Sequence, residues 1–244
     1  MFGTNPAVKT IRPPVWTPLG GRWVPGVPPL EPGDRLTRYE FERRYAAMAH
    51  VKKAELIEGV VYMPSPVSNA HSEAHGDLMA WLGIYRAATC GVHLNDNATV
   101  RLDLANEVQP DALLRLDVAL EGASRIGRDG YIEGAPELIA EIAVSSVSYD
   151  LHDKLCVYQR SGVPEYLVWQ VDDRRVDWFR LREGQYVPLT ADSQGVVRSE
   201  VFPGLQLAVP ALLEGDLATV LAVLQQGCQS AEHAAYVARL AVAA

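Results

Sequence analysis

Residues 137–144 read Glu-Leu-Ile-Ala-Glu-Ile-Ala-Val, and the fold turns on how this run is read. A short, nearly continuous apolar stretch is the pattern of a strand buried on both faces, at the centre of a sheet rather than at its edge. Glu141 breaks the pattern. A carboxylate in such a strand is costly to bury unless it is paired or binds a cation. Strand alternation puts Glu137, Ile139, Glu141 and Ala143 on one face. An ion pair with an arginine, or a solvated edge position, would account for Glu141 equally well.

Downstream, Tyr149 to Ser161 reads as a helix stopped by Gly162, with Pro164 two residues on. Lys154 shares a face of it with Asp150 and Tyr158. Strands follow at 166–171, 175–181 and 186–189, the first two joined through Asp172-Asp173. Upstream lies a glycine-rich loop through Gly122, Gly127, Gly130 and Gly134, preceded by strands at 112–120 and 92–104. Asp111 follows Pro110 at the head of the first of these. Leu78, Met79, Leu82 and Tyr85 give residues 69–88 the period of an amphipathic helix. Residues 54–63 read as a hairpin turning at Glu58-Gly59. Thr37 and Glu40 form a capping-box pattern opening a helix that runs to about Met48. Hairpin, helix, strands, helix, strands is the order of a mixed α/β (α+β) fold, a central mixed sheet flanked by helices.

Pro13, Pro14, Pro18, Pro25, Pro28, Pro29 and Pro32 make residues 1–35 an extended arm, which also carries Trp16 and Trp23. Residues 36–212 are the domain, and 213–244 an alanine-rich helical tail. Arm and tail are candidate elements of a homodimer. No segment approaches the roughly 20 apolar residues of a membrane span, and the proline-rich start is unlike a signal peptide. Cys90, Cys156 and Cys228 have no ligand spacing, so a disulfide framework or zinc cage is not expected and a cytoplasmic protein is. A net charge of −8 counts against a broad nucleic-acid footprint. It does not exclude local basic patches such as Lys52-Lys53 or Arg174-Arg175, and a bound cation inverts the field around clustered acids.

Two strand-borne acids, Asp111 and Glu141, can hold Mg2+ (or Mn2+) through oxygen ligands, with waters completing the shell. Such a metal lowers the pKa of a bound water, and a lysine can orient that water or stabilise developing charge. Lys154 is the candidate, its plain alternative being a solvated helix lysine paired with Asp150. His71 and His75 stand at i, i+4, but the residue after His71 is Ser72, so the HExxH zinc motif is absent.

Pro110-Asp111 with Glu141 thirty residues on (141 − 111) resembles the PD-(D/E)xK nuclease superfamily. More narrowly, the chain resembles the Uma2-type restriction-endonuclease family, greatly expanded in cyanobacteria. The resemblance is carried by Glu55-Leu56-Ile57-Glu58-Gly59, by His71, by Gln109-Pro110-Asp111 and by 137–142. It continues through Tyr149 to Leu155, Gly162 to Tyr166 and Trp169, and covers roughly residues 37–212. It implies a restriction-endonuclease-like fold and a metal-dependent endonuclease acting on DNA. Asp111 and Glu141 would bind the metal, with the Ile142 carbonyl a further ligand and Glu55 an additional acid. His71 would face the site, and Glu58 is read as a turn residue. The superfamily pattern places lysine two residues after the second acid; Ala143 stands there, and Lys154 is the substitute. The alternative is a nuclease-fold module, catalytically weak or inactive, that binds nucleic acid or regulates. A small-molecule metallohydrolase on an unrelated fold is a third reading.

Overall fold

The strand read from residues 137–144 is an interior strand of the principal sheet. The computed structural model describes residues 26–63, 66–144 and 150–243, with the side chains of 150, 151 and 243 left out. Most of the proline-rich arm, including Trp16 and Trp23, therefore lies outside the described residues, as do Tyr149 and the Asp150 side chain.

In chain order the helices are α1 (Arg38–Ala46), α2 (Asn69–Ala88), α3 (Leu155–Ser161), α4 (Val209–Leu213), α5 (Leu217–Cys228) and α6 (Ala231–Ala243). The strands are β1 (Glu55–Ile57), β2 (Val60–Tyr62), β3 (Val92–Asp96), β4 (Val100–Arg101), β5 (Glu107–Val108), β6 (Ala112–Leu116) and β7 (Arg125–Ile126). After them come β8 (Ile132–Glu133), β9 (Leu138–Ala143), β10 (Glu165–Gln170), β11 (Arg175–Arg182), β12 (Gln185–Pro188), β13 (Val196–Arg198) and β14 (Gln206–Ala208). Among the described residues, the principal sheet runs β12-β11-β10-β9-β6-β3, and a second, of shorter strands, runs β2-β1-β5-β4-β8-β7.

β9 pairs with β10 in parallel and with β6 antiparallel, so Glu141 is not at an edge. Its two faces feed separate cores, which is why the run is apolar throughout. Leu138, Ala140 and Ile142 pack with Leu78, Trp81, Leu82 and Tyr85 of α2 and with Val220 and Leu224 of α5. Ile139 and Ala143 pack with Val157 and Tyr158 of α3 and with Tyr166. The connection from β9 to the parallel β10 passes through α3, as a parallel pair requires. Gly162 caps α3 at φ 82, a left-handed conformation that suits glycine.

The hairpin turns where expected: Glu58 and Gly59 take φ 53 and 73, the pair of positive values a tight two-residue turn demands. Other expectations are corrected. The stretch 92–104 is two strands in different sheets, broken by Asn97 at φ 49. Strand β6 ends at Leu116, where a 3-10 turn takes over. The glycine-rich loop contains β7 and β8, each of two residues. The helix read from 149–161 opens as a π-helical turn over Asp150–Lys154. Thr37 precedes α1 but its side chain makes no capping bond. Its partner Glu40 is instead drawn to Arg43 and Arg44, each at 2.7 Å. The C-terminal helices begin at Val209 and are built into the first core. The Trp81 indole donates to the Gln206 carbonyl at 2.9 Å, and the Tyr85 hydroxyl to that of Pro203 at 3.0 Å.

Candidate active site

Antiparallel pairing of β6 with β9 aligns Ala112 with Ala140 and Leu114 with Leu138. One step further the same register sets Asp111 opposite Glu141. Directly opposed residues of an antiparallel pair project to the same face. The Asp111 N–H donates to Glu141 Oε2 at 3.4 Å, and the Ile142 N–H donates to Asp111 Oδ2 at 2.8 Å. Each acid thus reaches across to the other's strand. Both are buried, Asp111 at 4% and Glu141 at 2% exposure.

Behind them stands the third acid. β1 pairs with β5, Leu56 opposite Glu107, which carries Glu55 to the segment leading into Asp111. Glu55 Oε1 accepts from the Gln109 N–H at 2.7 Å. Lys154 joins the two sides, its Nζ 2.8 Å from Glu141 Oε1 and 3.3 Å from Glu55 Oε1. Tyr158, one turn on, donates to Glu141 Oε1 at 2.8 Å, and its burial and the nearby Glu141 charge push the phenol's pKa upward. Lys154 is therefore a buried counter-ion and not a solvated helix lysine. Lys154 is the cation paired with Glu141 among the described contacts, where an arginine was one expectation.

Toward solvent the site is lined by Lys53 and two imidazoles. His71 Nε2 lies 3.2 Å from Asp111 Oδ2, and His75 Nε2 lies 3.0 Å from the Asp111 carbonyl oxygen and 3.2 Å from Asp96 Oδ1. The i, i+4 spacing on α2 does place both rings at the site, though around an acid and its backbone rather than as a zinc pair. Lys53 Nζ is 3.6 Å from Asp111 Oδ1 and donates to Asn97 Oδ1 at 3.1 Å. Burial raises the Asp111 pKa, but His71, Lys53 and the Ile142 N–H outweigh it and hold the carboxyl at about 2.

Sequence reading brought Asp111, Glu141, Glu55 and Lys154 forward, and the fold gathers all four, with His71 beside them. Glu58 lies at the hairpin turn, half-exposed and 2.7 Å from Arg160. Lys53 and Tyr158 were missed as site residues. A signal for Lys53 existed, since it stands two residues before Glu55 and so on the same side of an extended chain.

The sequence profile of the Uma2 family, described as "Putative restriction endonuclease", matches residues 38–210. The chain belongs to the Uma2 family. Its fold is also that of the crystal structure of "a putative nuclease belonging to DUF820" from Anabaena variabilis, with a TM-score of 0.55. That match has 12% sequence identity and covers 70% of this chain and 96% of the other. Among curated proteins there is no match. This Uma2 chain is thus a member of a restriction-endonuclease-type family with a nuclease-like mixed α/β fold. Among the described residues, no helix is long and apolar enough to cross a membrane.

The acids can also be tested against a divalent cation. Among the described residues, no group of three or more His, Cys, Asp or Glu side chains is arranged to hold a metal ion. Mg2+ does not need such a cage: it keeps several waters and is bound through one or two carboxylates. The donors present are hard oxygens, which suits it. Odd-numbered carbonyls of β9 serve β10, as the Glu137 and Ala143 oxygens do for Glu165 and Val171. The Ile142 carbonyl therefore turns toward β6, where the opposed residue is Pro110, which has no N–H to offer.

Proposed function

We propose that this Uma2 protein is a metal-dependent endonuclease that hydrolyses DNA phosphodiester bonds. Asp111 and Glu141 would hold Mg2+ or Mn2+, with the Ile142 carbonyl as a further ligand and Glu55 as a supporting acid. The observation that carries this reading is the opposed pair Asp111 and Glu141, cross-linked through backbone N–H groups inside a fold shared with a protein described as "a putative nuclease".

A bound divalent ion would supply an activated water at neutral pH and positive charge at the scissile phosphate. The chain's own residues do the rest. Glu141 sits within β9 and Asp111 directly precedes β6, so strand pairing positions the two carboxylates before substrate arrives. Lys154 assists from behind, holding Glu141 and Glu55 in one geometry. His71 and the Ile142 N–H both meet Asp111 Oδ2, directing its other oxygen toward the site mouth.

The test is cleavage of supercoiled plasmid by the purified chain with Mg2+ or Mn2+. Asp111→Ala and Glu141→Ala should each abolish it, and activity that survives both substitutions would sink the proposal. The second reading, a module that binds nucleic acid without turnover, is favoured by Ala143 at the usual lysine position and by a Lys154 already engaged with two carboxylates. Duplex binding with no cleavage across a series of divalent metals would establish it instead. A homodimer in solution and a cytoplasmic location belong to the same proposal; sedimentation and cell fractionation test them.

A further inference from the structure

Two lysines flank the acids, and they stand in opposite environments. Lys154 has 4% of its side chain exposed and lies between Glu141 and Glu55. Lys53 has 25% of its side chain exposed and approaches the outer oxygen of Asp111. Of these two ammonium groups, Lys53 is the one open to a phosphate arriving from solvent.

The surroundings of Lys53 hold it at that position. Its Nζ donates to Asn97 Oδ1 at 3.1 Å, while the Asn97 amide donates to Asp96 Oδ1 at 2.7 Å. The Asn97 N–H in turn meets the Asp111 carbonyl oxygen at 3.4 Å, tying this turn to the acid. Asn97 is neutral, so it positions the ammonium without cancelling its charge. Asp111 lies 3.6 Å away, beyond a direct hydrogen bond, and an anionic phosphate oxygen would be the stronger partner.

We infer that Lys53 contacts a non-bridging oxygen of the scissile phosphate, whereas Lys154 never touches substrate and acts as counter-ion to Glu141 and Glu55. This rests on the nuclease reading of the acids. It changes which lysine faces the phosphate in a chain that has Ala143 at the usual position. It also gives a net-acidic protein a basic group at the point where phosphate must enter.

The experiment measures binding of a fluorescent DNA duplex to the full chain in Ca2+, by anisotropy across a salt series. Lys53→Ala and Lys53→Gln should each weaken binding roughly tenfold and flatten the salt slope by about one. Lys53→Arg should keep most of the affinity. Lys52→Ala, which removes the same charge from the adjacent exposed residue, should stay within about twofold of the parent. Lys154→Met should leave the salt slope unchanged. An unchanged slope in both neutral Lys53 variants, or an equal loss in Lys52→Ala, overturns the assignment. Cleavage in Mg2+ is scored separately. A parent chain that binds through Lys53 but never cuts overturns the nuclease reading alone. One that cuts with Lys53 neutralised and affinity intact overturns the Lys53 assignment alone, and one that does not bind the duplex overturns both.

Discussion

Asp111 stands across from Glu141 one residue beyond the last paired position of β6 and β9, and an N–H from each strand meets the other strand's acid. The odd-numbered backbone groups of β9 serve β10, so Asp111 and Glu141 face each other with no backbone bond between them. Here side-chain oxygens take the N–H groups instead, and two negative charges converge at a strand end. Neighbouring carboxylates repel, and the divalent cation of the proposed function would relieve that repulsion if it lay between them.

That relief should be measurable as stability. Mn2+ at about a hundred times its dissociation constant should stabilise the folded chain by about 2.7 kcal/mol. The readout is the thermal midpoint with metal and with excess EDTA. Asp111→Ala and Glu141→Ala should each lose most of the metal-induced rise while still unfolding cooperatively. An equal rise in both variants would place the metal elsewhere.

Lys154 makes the second prediction. Its charge faces two buried carboxylates, so Lys154→Met strands both, a change that typically costs about 3–5 kcal/mol. Adding Glu141→Gln should recover part of that loss, because the neutral amide no longer needs a counter-ion. The cycle should show about 2 kcal/mol of coupling in chemical denaturation. Strict additivity would mean that the ion pair is solvated in solution.

How much of this could be read in advance depended on the range of the interactions. The β9 run showed its burial because both faces are apolar within six residues. The Glu58-Gly59 turn and the Gly162 stop were equally local, since each follows from backbone conformation at one or two positions. β4, β5, β7 and β8 span two residues each and exist only through pairing with distant segments, so no periodicity announces them. Glu141 was legible for the reason that makes it costly, a charge inside a strand, whereas Asp111 was read at a strand's head and Glu55 only through the family resemblance. For Lys53 only the spacing from Glu55 was local; its approach to Asp111 depends on β1 finding β5 and on Asn97 turning between β3 and β4. The Thr37–Glu40 signal failed for a local reason, two arginines within one turn of Glu40.

A pH effect is expected from a second acid pair, Glu107 on β5 and Glu42 on α1. Burial, and then a hydrogen bond and repulsion from Glu42, raise the Glu107 carboxyl from its usual 4.5 to about 8, against the opposing pull of Arg101. Arg101 lies 2.8 Å from Glu42 and 3.4 Å from Glu107, and Arg38 lies 3.2 Å from Glu42. A raised acid means the folded chain holds a proton that the unfolded chain has released. Its stabilising contribution is full below 4.5 and is lost as pH rises through about 8. Unfolding free energy should therefore fall across that window, and Glu107→Gln should flatten the fall while raising stability at the alkaline end. Parallel pH profiles for parent and variant would refute the shared proton.

The last prediction concerns how firmly the C-terminal helices belong to the domain. Gly227, near the end of α5, lies against the backbone of Gly204, so a Cβ there would drive into the Gly204 carbonyl oxygen and the Gln206 side chain. Gly204 itself takes φ 87 and cannot easily move aside. The contact holds α5 on the segment that receives the Trp81 and Tyr85 hydrogen bonds. Gly227→Ala should therefore cost roughly 1–3 kcal/mol through overpacking, although alanine favours a helix. Val220 and Leu224 of the same helix are fully buried in the core that covers one face of β9. If the helices were a loosely attached tail, Gly227→Ala would be neutral or stabilising. Chemical denaturation distinguishes the two by the sign of the shift, and a loss with an unchanged denaturant slope would place α5 inside the cooperative unit that carries Asp111 and Glu141.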